Sequence, residues 1–179
     1  MNAHTVDLTF LEQMHDSFRG ERIEALFFIA PAAVVLFILA AVAVKSEGGA
    51  FGIAMAVPLV VFGLVAFGTG LAVGLRTPSQ VAALEQAYAA SPGAMVAEEL
   101  PRMRKVNAAW PMYLGTWTVA VLAGLVLRFL VKSDWAHGLG PGLILVGAMG
   151  FLVDGFAERR ARPYTQALEA LAAQAGAAP

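Results

Sequence analysis

The sequence predicts an all-α membrane protein in which four transmembrane helices form two antiparallel hairpins, with short cytoplasmic amphipathic helices beside them. Three observations carry this. The stretch from Ala50 to Leu75 runs for 26 residues without a charge. As a helix it would be roughly 39 Å long, against the ~30 Å hydrocarbon core of a bilayer. Similar runs cover Ala25 to Val44, Val106 to Leu127 and Trp135 to Val153. Finally, 14% of the residues are charged and 59% apolar, where soluble domains carry about 25% charge. Lipid offers backbone N–H and C=O groups no partners, so runs of this length can cross it only as helices. The spans (22–44, 51–75, 107–131 and 137–156) and their connections use up the 179 residues as one four-span domain, with no room expected for a separate soluble domain.

Composition narrows the chemistry. Net charge is −1, so nothing global draws the chain to nucleic acid, and none is expected as a partner. With three His and no Cys there is no disulfide, thiol nucleophile or cysteine-ligated cluster, and no metal or other cofactor is expected. Asp7, Glu12, Asp16 and Glu21 precede the first apolar run where a signal peptide would be basic, so that run is expected to stay as an anchor. The Met-Asn start and the absence of a C-terminal Cys give no lipidation motif. Lys and Arg fall unevenly. Arg19, Arg22, Arg76, Arg102, Arg104, Lys105, Arg159, Arg160 and Arg162 share one side of the predicted topology, and Lys45, Arg128 and Lys132 the other. Basic loops stay cytoplasmic, so both termini are expected there, on a bacterial inner membrane.

Residues 1–20 read as an amphipathic surface helix. Thr9 and Glu12 fit a capping box, Leu8, Leu11, Met14 or His15, and Phe18 form a stripe, and Gly20 punctuates. Span one, 22–44, lacks Gly and carries Pro31, which leaves the Phe27 carbonyl unbonded and predicts a bend. Lys45 to Ala50 is long enough only for a tight outer turn. Span two, 51–75, is interrupted by five glycines, with Gly70 and Gly74 at GxxxG spacing, and span four, 137–156, is equally glycine-rich. Small residues let helix backbones approach where the hydrophobic effect between helices is weak. Spans two and four are therefore expected to form the packed centre through Gly63, Gly70, Gly74, Gly142 and Gly147, with spans one and three outside.

Residues 76–105 read as a cytoplasmic helical loop. Thr77-Pro78 and Ser91-Pro92 each place a capping residue before a proline, predicting helices from Pro78 to about Ala90 and from Pro92 to about Leu100, and Leu100-Pro101 opens the run-in to span three, 107–131. Trp110, Tyr113 and Trp117 suit the inner headgroup level and Trp135 the outer one. Residues 157–179 form a C-terminal helix and tail, ending in a frayed Gly-Ala-Ala-Pro. Val44-Lys45-Ser46-Glu47 matches Val131-Lys132-Ser133-Asp134 at an offset of 87, which raises the expectation of two parallel repeats, although Pro31 and Pro111 fall out of that register.

Inside the apolar runs the polar side chains include Thr69, Thr116, Thr118 and, at the inner edge of span four, Asp154. A carboxylate in hydrocarbon costs about 2.5–3.5 kcal/mol unless paired or wetted, which makes Asp154 the candidate functional acid. Arg22, Glu24, Arg76, Arg104 and Glu158 are its candidate partners on the cytoplasmic rim, and an ion pair to Arg22, Arg76 or Arg104 competes with proton handling and with catalysis. The wider rim, including His15, Glu98, Glu99, Arg102 and Asn107, reads as a solvated mixture of charges. Glu12 and His15 supply one Glu-x-x-His pair where a di-metal site needs two. No GxSxG, P-loop, dinucleotide fingerprint or HExxH occurs, so no catalytic residue is assigned.

These features imply a non-catalytic integral membrane protein that contacts membrane lipids and binds a partner protein in or at the membrane, in an accessory, regulatory or toxin-immunity role. The alternative is a small-solute channel or transporter assembled as a homo-oligomer, because four helices with scarcely any polar lining enclose no pore alone. A third reading is an enzyme acting on lipid headgroups through Asp154.

Overall fold

The computed structural model describes the backbone of residues 3–176 and the side chains of residues 8–174. The expected fraying of residues 177–179 and the side chain of His4 lie outside the described residues. The chain folds into α1 (Ala3–Glu24), a π-helical turn (Ala25–Ile29), α2 (Ala30–Ser46), α3 (Gly49–Ala90), α4 (Pro92–Leu130) and α5 (Asp134–Gly176), with no strand among the described residues. Four stretches, Leu8–Ser46, Gly49–Ala90, Pro92–Leu130 and Asp134–Gln174, are long and apolar enough to cross a membrane. This is a four-helix, membrane-type fold of a multi-pass protein.

The helices are longer than the proline signals predict. Ser91 does break the chain: its hydroxyl accepts from the Ala94 N–H at 3.4 Å and its carbonyl from the Met95 N–H at 3.0 Å, with Pro92 opening α4. Pro78 and Pro101, in contrast, lie inside α3 and α4. Thr77, expected to cap, instead donates its hydroxyl to the Val73 carbonyl at 2.7 Å and is buried. Packing on the turns that follow holds the helix through a residue that alone would interrupt it. Pro31 acts differently. A proline cannot donate to the carbonyl four residues back, and here the backbone widens just before it, with the Ala30 N–H reaching the Ala25 carbonyl across a π turn. The two Val-Lys-Ser-acid matches also adopt unlike structures: Lys45 and Ser46 end α2, whereas Lys132 and Ser133 lie between helices.

Contacts gather the chain into two compact units. The first comprises Met1–Ile23, Val73–Trp110 and Phe156–Pro179, the second Glu24–Ala72 and Pro111–Gly155. The core of the first is aromatic and methionine-rich. Phe10, Met14 and Phe18 of α1 repeat every four residues and meet Met95, Leu100, Met103 and Trp110 of α4 and Tyr164 and Leu168 of α5. Phe10 stacks on Tyr88 with ring centroids 5.0 Å apart, and Phe18 meets Tyr164 edge-on at 5.7 Å. The stripe on α1 therefore runs through Phe10 rather than Leu8, which is 59% exposed. Gly20 does not stop the helix, and α1 continues to Glu24.

The second unit is packed through glycine. A Cβ at Gly70 would lie 2.8 Å from the Ala25 carbonyl and 3.2 Å from the Ala30 nitrogen, against the π turn itself. Gly63 faces the Phe37 ring, and Gly52 the carbonyl of Ala43, so the ladder descends α2 as it climbs α3. Between α3 and α5, Gly138 meets the Phe51 carbonyl and Gly142 the Met55 carbonyl and Pro58. Between α4 and α5, Gly124 and Gly140 approach each other's carbonyls, and Gly147 meets Val121 and the Trp117 carbonyl. Gly74 is buried. Outward faces are apolar, as at Phe27 (71% exposed), Leu64 (62%) and Phe129 (72%).

Because backbone cannot yield as a flexible side chain can, Gly70→Ala is expected to destabilise the protein by about 1–3 kcal/mol. Gly68, two residues earlier in the same helix, has nothing within 4 Å of a built Cβ. Gly68→Ala should therefore leave thermal unfolding in detergent unchanged or slightly raised, while Gly70→Ala lowers its midpoint by several degrees.

Candidate functional site

Among the described residues Asp154 forms no ion pair with the expected Arg22, Arg76 or Arg104. Its Oδ2 accepts the Trp117 indole N–H at 2.5 Å. The indole is held in turn, edge-on to Phe62 at 5.5 Å and with its ring directly over Gly150. Both partners lie in the second unit and are partly buried. The carboxylate thereby satisfies an N–H that would otherwise face apolar surroundings. Trp110 and Trp117, the aromatics expected at the inner headgroup level, pack against neighbouring helices. Trp110 is 8% exposed, its indole donates to Asn107 Oδ1 at 3.2 Å, and the Asn107 amide donates to the Thr165 hydroxyl at 2.8 Å.

The first unit holds the densest charge. Arg102 grips Glu99 in a two-pronged pair, Nε to Oε2 at 2.6 Å and Nη2 to Oε1 at 2.5 Å, and the Tyr164 hydroxyl donates to the same Oε1 at 3.0 Å. Glu99 is 6% exposed and Tyr164 1%. The hydrogen bond to Glu99 raises the Arg102 guanidinium above its ordinary value against the opposing pull of burial. Burial, then the negative charge and hydrogen bond of Glu99, push the Tyr164 hydroxyl far above the usual tyrosine range. A buried carboxylate is thus matched by one cation and one neutral donor, the arrangement a low-dielectric site requires.

Beside this triad a cavity of about 220 Å³ opens within the first unit. Arg76, Arg102 and Arg160 line it together with Glu21, and Phe18 and Trp110 form part of its apolar wall. Arg76 Nη2 is 3.6 Å from Glu21 Oε1, an electrostatic contact rather than a hydrogen bond. Arg160 lies against α1 at Gly20, where a Cβ would come within 2.6 Å of its Cδ.

No family model, curated protein or solved structure matches this chain.

The remaining rim residues are dispersed. Arg104 pairs with Glu169 at 3.0 Å, Glu158 with Arg162 one turn on, and His15 with Glu85 at 2.9 Å. Glu24 is buried at 8% exposure, and Arg22 is exposed. Among the described residues no three His, Asp or Glu side chains converge where a metal could sit. The arginine cavity was not legible in the sequence because four helices, α1, α3, α4 and α5, each supply part of its lining; the available signal was Gly20, a glycine inside a helix, facing Arg160.

Asp154→Leu is expected to cost about 1–3 kcal/mol by stranding the Trp117 N–H, whereas Asp154→Asn, which keeps an acceptor, should cost less. Thermal unfolding of the two variants in detergent compares them. Folded Tyr164 keeps its proton where the unfolded chain releases it near pH 10, so its contribution to stability falls as pH rises above that value. Stability measured from pH 8 to 11 should fall less steeply in Tyr164→Phe than in the wild type.

Proposed function

We propose that the chain is a non-catalytic integral protein of a bacterial inner membrane, with both termini cytoplasmic and its spans arranged as two antiparallel hairpins. In this reading it binds a partner protein in or at the membrane, in an accessory, regulatory or toxin-immunity role. One observation carries the reading: the polar side chains of the apolar runs do not line an interior path. Thr69, Thr116 and Thr118 are exposed on the outer faces, and the hydroxyls of Thr116 and Thr118 donate to the Met112 and Leu114 carbonyls of their own helix. Asp154 is engaged by Trp117, and the glycine contacts bring backbones together where a water-filled route would need space. A single copy so packed offers a solute no wet passage. What it offers is surface.

A second reading draws on α4. Only 6% of its most apolar window is buried, against 28% for the other three candidate spans, and its exposed face carries Gly115, Thr116 and Val119. Such a face suits association with a second copy as well as with another protein, which keeps the oligomeric channel as the alternative.

A photo-crosslinking residue at Val119, activated in native membranes, is expected to yield a discrete adduct between this chain and a different protein. Purified protein in liposomes should show no solute flux across pH and voltage. Self-adducts accompanied by flux would replace the first reading with the second, and adducts to lipid alone would sink both.

A further inference from the structure

We infer that the outward groove between α2 and α3, within the second unit, seats one acyl chain of an anionic phospholipid, with the lipid phosphate at Lys45. The floor of the groove is small. Ala40 and Ala56 line it, are nearly inaccessible, and bring nothing larger than a methyl group. Its rims are β-branched: Val44 of α2 and Ile53, Val57 and Val60 of α3 are each at least 38% exposed. Val and Ile hold nearly one rotamer in a helix, so the rims do not fold inward to close the space. About 450 Å³ stays open along Phe37 to Lys45, within the ~300–1,000 Å³ of small-molecule sites. Left empty, the alanine floor would forfeit dispersion contacts that a hydrocarbon chain restores.

The two ends of the groove differ, as the two ends of a lipid do. At the inner end the Phe37 ring lies against Gly63 and closes it. At the other end stands Lys45, the charged residue of the lining, one position before α2 ends at Ser46. The chain leaves helix at Glu47 and Gly48, and irregular backbone stays out of hydrocarbon, which puts Lys45 at headgroup depth. From there to Phe37 the helix rises ~12 Å, close to the ~15 Å that one leaflet contributes to the hydrocarbon core. Lys45 forms no ion pair among the described residues, so its exposed ammonium is open to a phosphate. A zwitterionic lipid brings its own cation beside that phosphate, whereas an anionic lipid complements a lone lysine. A helix suits the groove less well. It is about 10 Å across and packs best on small residues, but Gly52 and Gly63 turn toward α2 and leave valine on the outward rims.

Full-length protein in a non-ionic detergent is titrated with phosphatidylglycerol or with phosphatidylcholine of the same acyl chains, and bound lipid is counted by native mass spectrometry. One phosphatidylglycerol should be retained about fivefold more tightly than phosphatidylcholine, the preference one lysine supplies near an anionic headgroup. Lys45→Gln should remove that preference, and Lys132→Gln, outside the groove, should keep it. Ala41→Phe fills the groove from an exposed position on α2 and should abolish retention, whereas Val42→Phe, also exposed on α2 but outside the lining, should not. A photo-crosslinking residue at Val57, activated in native membranes, identifies the occupant without these variants. Its adduct should be a phospholipid, richer in anionic species than the adduct formed from Leu64, which is exposed on the same helix outside the groove. Equal retention of the two lipids by the wild type, a preference that survives Lys45→Gln or Ala41→Phe, or an adduct from Val57 to a second copy or to another protein would overturn the assignment.

Discussion

Close backbone approach is the constraint on which the second unit depends. Between two helices in hydrocarbon, hiding apolar surface gains little, because lipid tails are as apolar as the side chains they would replace. What remains is dispersion at short range, and that rises only if backbones come near. The glycines of α3 and α5 provide this at Phe51, Met55 and the π turn, where a methyl group would strike a carbonyl oxygen. The same glycines would be a weakness in water, where each loosens its helix. The requirement to satisfy every backbone group within the helix removes that weakness in lipid.

The first unit obeys the opposite rule. Its helices meet through large side chains, Phe10, Met14, Tyr164 and Leu168 among them, each essentially inaccessible. Polar groups are admitted to this core only with partners: Thr165 donates to the Ala161 carbonyl and accepts from Asn107, and Glu99 takes three hydrogen bonds. α3, α4 and α5 each contribute residues to both units. One continuous helix therefore carries a small-residue surface along part of its length and a bulky, polar-capped surface along the rest. The composition changes accordingly, from Gly70 and Gly74 to Val81, Leu84 and Tyr88 along α3.

Helix existence and apolar length were legible in the sequence, because both follow from composition over twenty or more residues. Helix ends were not. Thr77-Pro78 and Ser91-Pro92 carry the same local signal, and only the second ends a helix. The difference lies in what Thr77 and the turns after it pack against, which local chemistry does not encode. The α1 stripe was misread for a related reason: Leu8 and Phe10 both fit a helical period, and the choice between them is made by Tyr88 and Tyr164, distant in sequence. Asp154 stood out as an acid in an apolar run, but its partner was sought among arginines and proved to be the Trp117 indole. A neutral donor on a neighbouring helix leaves no charge pattern to read.

Charge in this chain is placed by the company it keeps. An isolated carboxylate within an apolar span is matched by one indole, a contact that orients the ring without bringing a second charge into low dielectric. Where arginines gather, in the first unit, carboxylates face them: Glu99 holds Arg102 in a two-pronged pair, and Glu21 lies 3.6 Å from Arg76. These contacts line a walled space rather than an open face, so solvent screens them less than it screens the pairs of Arg104 and Arg162 at the surface.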